Sequence, residues 1–254
     1  ALTHGTYLLP QAPVDLEVCD EPLLWSPTTS PPITNRDRPI HLVGYPMPHG
    51  PPPPTRAAPR SPGARILVLG QGPLRGVALN EPRVTMRQYT VAVSAVRERL
   101  PAASIVLRPH PAEGLEAVTR FVEGHPDYPL EVDAATPILA ALANADLCIA
   151  TITAATLQAA LVGTPVVALN LLGFAWSAPL GGDSRVPVAR DERELVGWLD
   201  RWAAGPPLPG RDELLEGLGA SPQGSPGTDR ILSVLASGPP GRFPSGPRRG
   251  SIAL

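Results

Sequence analysis

The sequence predicts an α/β protein: a Rossmann-like parallel sheet with helices on both faces. Three observations carry that expectation. Between residues 64 and 204, apolar runs and segments of helical periodicity alternate at least four times. The runs are continuously apolar instead of alternating with polar residues, as strands buried on both faces require. The connections are short, which suits strand–helix–strand units packed into one sheet.

Taken in order, Arg65-Ile-Leu-Val-Leu-Gly70 is an apolar run ended by glycine and reads as a buried strand. Met86, Tyr89, Val93, Val96 and Leu100 recur at three- and four-residue steps, one stripe of a four-turn helix. Ser104 to Arg108 is the next strand, and the spacing predicts a helix started by Pro111 and running through Leu115, Val118 and Val122. Thr136-Pro137 is expected to cap a helix ending near Asn144, Thr as the cap and Pro at the first helical position. Leu147 to Ala150 is a strand, 154–162 a helix with Gly163 as its C-cap, and Pro165 to Leu169 a further strand. Val186 to Ala189 is a last short strand. Asp191 and Glu194 then form a capping box for a helix that faces inward with Leu195, Trp198, Leu199 and Trp202.

Proline density draws the boundaries. Residues 45–63 hold eight Pro, including Pro51 to Pro54, and read as an extended polyproline linker. Residues 205–254 hold nine Pro and ten Gly, a tail with short helical signals embedded. The core domain is therefore 64–204, with 1–44 left as the remnant of a preceding domain.

Composition excludes several functions. The 21 cationic residues are all Arg, against 23 acidic ones, and a net charge of −2 argues against a nucleic-acid partner, whose phosphates need clustered cations. Cys19 and Cys148 are too few for a disulfide framework, and neither they nor the histidines have metal-ligand spacing. No charge occurs between Asp146 and Asp183, but Gly163, Pro165, Asn170 and Gly173 interrupt the most apolar part. A buried helix, turn and strand fits that stretch better than a transmembrane segment. The first ten residues, ALTHGTYLLP, lack the regions of a signal peptide, so a cytoplasmic location is expected, with a peripheral position at the inner membrane face as a variant of it.

In parallel sheets ligands sit beyond the carboxyl ends of the strands, so the loops after Gly70, Arg108, Ala150 and Leu169 are the ones that matter. The most distinctive is Arg108-Pro109-His110-Pro111-Ala112-Glu113. Arg108 and His110 each precede a proline and are biased toward extended backbone. With Pro111 starting a helix, His110 would stand just before a helix N-terminus, where an anion is favoured. The alternative is a helix-capping His in a rigid turn. A second signal runs from Ala150 through Thr151, Thr153 and Thr156 to Gln158: a strand end rich in hydroxyls, then a helix of small residues that lets a ligand approach. Here too an alternative stands, that Thr153 or Thr156 is simply an N-cap. Gly70-Gln71-Gly72-Pro73 is a glycine-rich turn with neither dinucleotide nor P-loop spacing.

Together and in order, these pieces resemble the C-terminal half of a GT-B-type glycosyltransferase, among the bacterial enzymes of capsule, sialic-acid and teichoic-acid assembly. The matching residues are His4-Gly5, Gly44-Tyr45-Pro46, Arg108-Pro109-His110-Pro111, Thr153 to Gln158-Ala159, and Gly163-Thr164-Pro165-Val166. Gly70-Gln71 with Pro73-Leu74 looks like the turn after the first strand of polysialyltransferase-like proteins, whereas His4-Gly5-Thr6 looks more like the CDP-glycerol transferases. Two departures stand out: the helix acid of the family is Gln158, and its Ser-Thr pair reads Thr153-Ala154.

The resemblance implies one half of a GT-B fold that binds a CMP-, UDP- or CDP-activated sugar donor as substrate, needs no cofactor or metal, and serves transfer to a glycan or cell-surface acceptor. His110 would contact the donor phosphate and neutralise charge developing on it as it leaves. Gly70, Gln71, Arg108, Glu113, Thr151, Thr153, Thr156 and Gln158 would complete the donor site. The partner this implies is a missing N-terminal domain, which in the family carries the acceptor site and often the general base; His4 is the local candidate for a base. The same fold also serves a CDP-glycerol-type phosphotransferase, a sugar-nucleotide epimerase, or a non-catalytic nucleotide-binding module.

Overall fold

The protein is described by a computed structural model over residues 23–24, 41–42, 63–70, 82–111, 113–151, 154–171, 186–205, 208–209, 213 and 233. His4, Gln71, Thr153, the linker before Gly63 and most of the tail lie outside these residues.

Two short strands, β1 (Leu23–Leu24) and β2 (His41–Leu42), pair in parallel. The main sheet holds β3 (Arg65–Leu69), β4 (Ser104–Arg108), β5 (Leu130–Val132), β6 (Leu147–Thr151), β7 (Val166–Leu169) and β8 (Val188–Ala189). All its pairings are parallel, in the order β5-β4-β3-β6-β7-β8. The helices are α1 (Pro82–Arg99), α2 (Leu115–Glu123), α3 (Ile138–Ala143), α4 (Ala154–Val162) and α5 (Glu192–Ala204). This is the doubly wound α/β architecture that the alternating pattern predicts.

The continuous apolar runs are explained by two cores, one per face. Successive side chains of a strand point to opposite faces. Ile66, Val68, Ile105, Leu107, Leu147, Ile149, Val167 and Leu169 therefore pack on one side, against Tyr89, Val93 and Val96 of α1, Val118 of α2, and Leu195, Leu199 and Trp202 of α5. Leu67, Leu69, Val106, Cys148, Ala150, Val166 and Ala168 pack on the other, against Ala141 and Leu142 of α3 and Ala159, Ala160 and Val162 of α4. Alanines on α4 let it lie close to the sheet. Helix α4 ends at Gly163, whose φ of 77° is a left-handed conformation that glycine adopts without steric cost.

Four details differ from the sequence reading. Strand β5 was not expected: only Leu130 of its three residues is buried, and Glu131 is exposed, so a short edge strand reads as part of a turn. Helix α2 does not begin at Pro111. The His110 carbonyl accepts from the Glu113 N–H at 2.8 Å, which closes a separate turn, and Gly114 is the N-cap. Helix α3 is not capped by Thr136 either. Pro137 holds the N-cap position with no side-chain bond, and Asp133 Oδ1 instead accepts from the N–H groups of Thr136 at 2.9 Å and Ala135 at 3.2 Å. The capping box of α5 forms with a shift of one residue. Asp191 Oδ1 accepts from Glu194 N–H at 2.7 Å, while the Glu194 carboxylate reaches Arg190 N–H at 2.8 Å. The helix ends at Gly205 in the left-handed region.

Candidate functional site

The strand order fixes where a ligand can sit. From the central β3 the chain leaves through α1 on one face, and from its neighbour β6 it leaves through α4 on the other. The connections part there, and a crevice opens beyond the carboxyl ends of the two strands. Leu69 pairs with Ala150, so Gly70 and Thr151 flank that crevice. On the other side of β3, Leu69 pairs with Arg108, which brings the Pro109–Pro111 turn to the same edge.

Gly70, Arg108, His110 and Glu113 meet through one set of contacts. The Gly70 N–H donates to the Arg108 carbonyl at 2.8 Å, continuing the ladder one step past the strands. Glu113 Oε2 accepts from the His110 N–H at 2.8 Å and from the Tyr89 hydroxyl at 3.0 Å. A methyl at Gly70 would overlap both Glu113 Oε2 and the Tyr89 hydroxyl oxygen. Glycine is thus required by close approach at this position. Tyr89 is buried in the core, and burial first, then the Glu113 charge and hydrogen bond, hold its phenol far above its usual range. It is a hydrogen-bond donor at every accessible pH.

His110 stands at the solvent-exposed mouth of this group, two residues past the end of β4 and four before the N-cap of α2. The expectation that it directly precedes a helix N-terminus is therefore corrected: the turn closed by Glu113 intervenes. Partial burial lowers the pKa of its imidazole from 6.5, which favours the neutral ring. Arg108 is turned toward β5. Its Nη1 lies 3.4 Å from the Asp133 carbonyl and 3.5 Å from Asp133 Oδ2, with both side chains largely covered. For Asp133, burial would raise the carboxyl pKa, but the Thr136 and Ala135 hydrogen bonds and the Arg108 charge outweigh it and hold the group below its ordinary value.

Across the crevice, the two described threonines behave differently. Thr156 is fully buried, and its hydroxyl donates to the Thr151 carbonyl at 3.2 Å, tying the first turn of α4 back to the strand end. Thr151 is 2% exposed, and its Oγ1 has no hydrogen-bond partner among the described residues. A buried hydroxyl without a partner costs free energy, so this atom is the one at the strand end with unused capacity. Gln158 lies one turn into α4 and is half-buried. Two residues at this edge escaped the sequence reading: Tyr89, which periodicity assigned only to the core stripe, and Asn170, which is buried just past β7 and donates its N–H to the Ala189 carbonyl at 2.8 Å. A polar residue ending an apolar strand is the signal that could have singled out Asn170. Among the described residues, no three His, Cys, Asp or Glu side chains cluster as metal ligands, and no helix is long and apolar enough to cross a membrane.

No family model and no curated protein matches this sequence. Solved structures with a similar arrangement include the UDP-GlcNAc 2-epimerase of Methanocaldococcus jannaschii, at 12% identity over 69% of this chain and 46% of that one, with a TM-score of 0.47. The O-GlcNAc transferase of Thermobaculum terrenum is similar at 18% identity over 85% of this chain and 44% of its own, TM-score 0.47. The C-terminal domain of a group 1 glycosyl transferase from Francisella tularensis is similar at 14% identity, over 68% of this chain and 86% of that domain, TM-score 0.38. The chain thus spans under half the length of the first two proteins.

Proposed function

We propose that this chain is the donor-binding half of a GT-B-type glycosyltransferase, holding a nucleotide-activated sugar for transfer to a glycan or cell-surface acceptor. One observation supports the reading: Gly70, the His110 turn and Thr151, whose buried hydroxyl has no partner among the described residues, stand at the same edge of β3, β4 and β6. Glycosyl transfer leaves negative charge on the departing nucleotide phosphate, and preorganised donors at that point lower the barrier. In this reading the His110 imidazole donates to the phosphate from one wall and Thr151 Oγ1 from the other. Gly70 lets Glu113 and Tyr89 close against the strand end, which fixes the first wall. An approaching phosphate favours the imidazolium and adds charge assistance to that bond. Activation of the acceptor hydroxyl requires a base, which we assign to an acceptor-binding domain facing this edge.

Calorimetric titration with UDP, CDP and CMP tests the reading. His110→Ala is expected to weaken the preferred nucleotide by about 1–3 kcal/mol, the range for a charge-assisted hydrogen bond. Donor-dependent protection against thermal unfolding should rank the same three nucleotides in the same order. Equal affinity of wild type and variant would overturn the assignment.

A further inference from the structure

The segment Pro109-His110-Pro111 contains a single backbone N–H, because proline has none. That one donor, on His110, is committed to Glu113 Oε2 at 2.8 Å. The same oxygen is held from the core side by the Tyr89 hydroxyl at 3.0 Å, 24 residues earlier in the chain. The carbonyl of Arg108 lies 3.5 Å from that hydroxyl. The Tyr89 ring is itself fixed: it is fully buried on α1, and its centroid is 6.1 Å from that of Phe121 on α2.

We propose that Tyr89 is a positioning residue for the donor site: through the shared Glu113 carboxylate it locks the only backbone donor of the Pro109–Pro111 turn and so sets where His110 stands at the crevice. This rests on the donor-site reading above. Three features argue for a lock over an incidental core contact. A buried phenol needs a partner, and this one reaches out of the apolar stripe to a charged group on another element instead of bonding within α1. The carboxylate it holds serves the turn carrying His110. And the pair sits against Gly70 so closely that no other residue fits there, so Gly70 and the His110 turn register on the same two side chains. The phenol stays protonated as pH rises, because burial and the adjacent Glu113 charge both disfavour the phenolate, so its hydrogen bond is not lost to ionisation of Tyr89.

The test uses the full, 15N-labelled chain with Tyr89→Phe, which keeps the ring, its burial and its contact with Phe121, and with Glu113→Asp, which shortens the carboxylate so that it no longer spans both donors. Two readouts are taken: hydrogen–deuterium exchange of the His110 amide without ligand, and the Kd for UDP, CDP and CMP. In each variant the His110 amide is expected to exchange at least ~10-fold faster, and the Kd of the preferred nucleotide to rise ~10-fold, the loss of one hydrogen bond to a charged group. Since Glu113→Asp leaves the buried core untouched, it carries the test where Tyr89→Phe fails to fold. An unchanged exchange rate in a folded variant overturns the lock, and so does lost protection with an unchanged Kd. A wild type that binds none of the three nucleotides would sink the donor-site reading instead, and the ligand-free exchange rate then decides the lock alone.

Discussion

Replacing Gly70 by alanine probes the site through stability alone. The added methyl would occupy the space of Glu113 Oε2 and the Tyr89 hydroxyl, so one side chain or both must move. Tyr89 cannot swing away, because its ring is fully enclosed. Glu113 is half-exposed and can, but it then gives up its hydrogen bonds to Tyr89 at 3.0 Å and His110 at 2.8 Å. Overpacking a tight site costs about 1–3 kcal/mol, and a hydrogen bond to a charged group is worth ~1.5–3 kcal/mol. Because solvent can take over part of what Glu113 loses, the lower ends apply, and about 2 kcal/mol is the expected destabilisation. In a domain of this size that is roughly a 4–10 °C fall in Tm. Urea titration followed by circular dichroism measures it. The cause can be separated from a general intolerance of β-carbons: in a Tyr89→Phe/Glu113→Ala background the same substitution meets far less and is expected to cost under ~0.5 kcal/mol, a coupling that a mutant cycle reads directly. A fall of less than ~0.5 kcal/mol in the wild-type background, or equal cost in both, would refute the steric argument.

Further measurements separate the two threonines. Thr156→Val is expected to cost about 1 kcal/mol of stability, the net worth of its bond to Thr151, and to leave nucleotide affinity unchanged. Thr151→Val removes a buried hydroxyl that has no partner among the described residues, so stability holds or rises by up to ~1 kcal/mol while nucleotide Kd increases. Asp191→Ala, which deletes the side-chain cap on Glu194 N–H, is expected to lower stability by about 1 kcal/mol in a thermal melt. Asp133→Asn tests the sign of a pKa shift. The folded-state pKa lies below the ordinary 3.8, so the carboxylate contributes stability that is present above that pH and is lost as pH falls through the folded value. The stability gap between wild type and variant, measured by urea titration from pH 7 downward, is expected to close below pH 3.8; a gap that widens on acidification would reverse the assignment.

How much of this was legible in the sequence depended on how local each feature is. The strands at Arg65, Ser104, Leu147 and Val166 announce themselves because each face of the sheet is covered, so every residue in the run must be apolar. Helix α1 shows its stripe, and Asp191 and Gly163 mark helix ends, through residues a few positions apart. Strand β5 is invisible to such signals because its hydrogen bonds to β4 carry it, with three residues and one buried side chain. Pro111 misleads for a related reason: proline suits a turn as well as a first helical position, and the choice is made by Glu113 folding back on His110. Of the candidate site, the edge and the His110 turn were readable, since strand ends and proline-flanked residues are sequence features. That Arg108 pairs with Asp133, that Thr156 turns inward, and that Tyr89 reaches Glu113 were not, since each joins elements whose proximity is known only once the sheet is assembled.

The central position of β3 also has a cost in time. Its ladder to β6 joins residues about 80 apart, as the pairing of Ile66 with Leu147 and the backbone bond from Asp146 N–H to the Arg65 carbonyl show. At roughly 5–20 residues per second of synthesis, β3 waits on the order of 4–16 s before the strand that covers its second edge exists. Once β4 has been made, roughly halfway through that wait, the five-residue, nearly all-apolar strand has β4 on one side and an open row of backbone donors and acceptors on the other. The arrangement that places a crevice at the middle of the sheet thus keeps that middle unclosed until β6 arrives, and leaves the nascent chain open to mispairing where the finished protein is most buried.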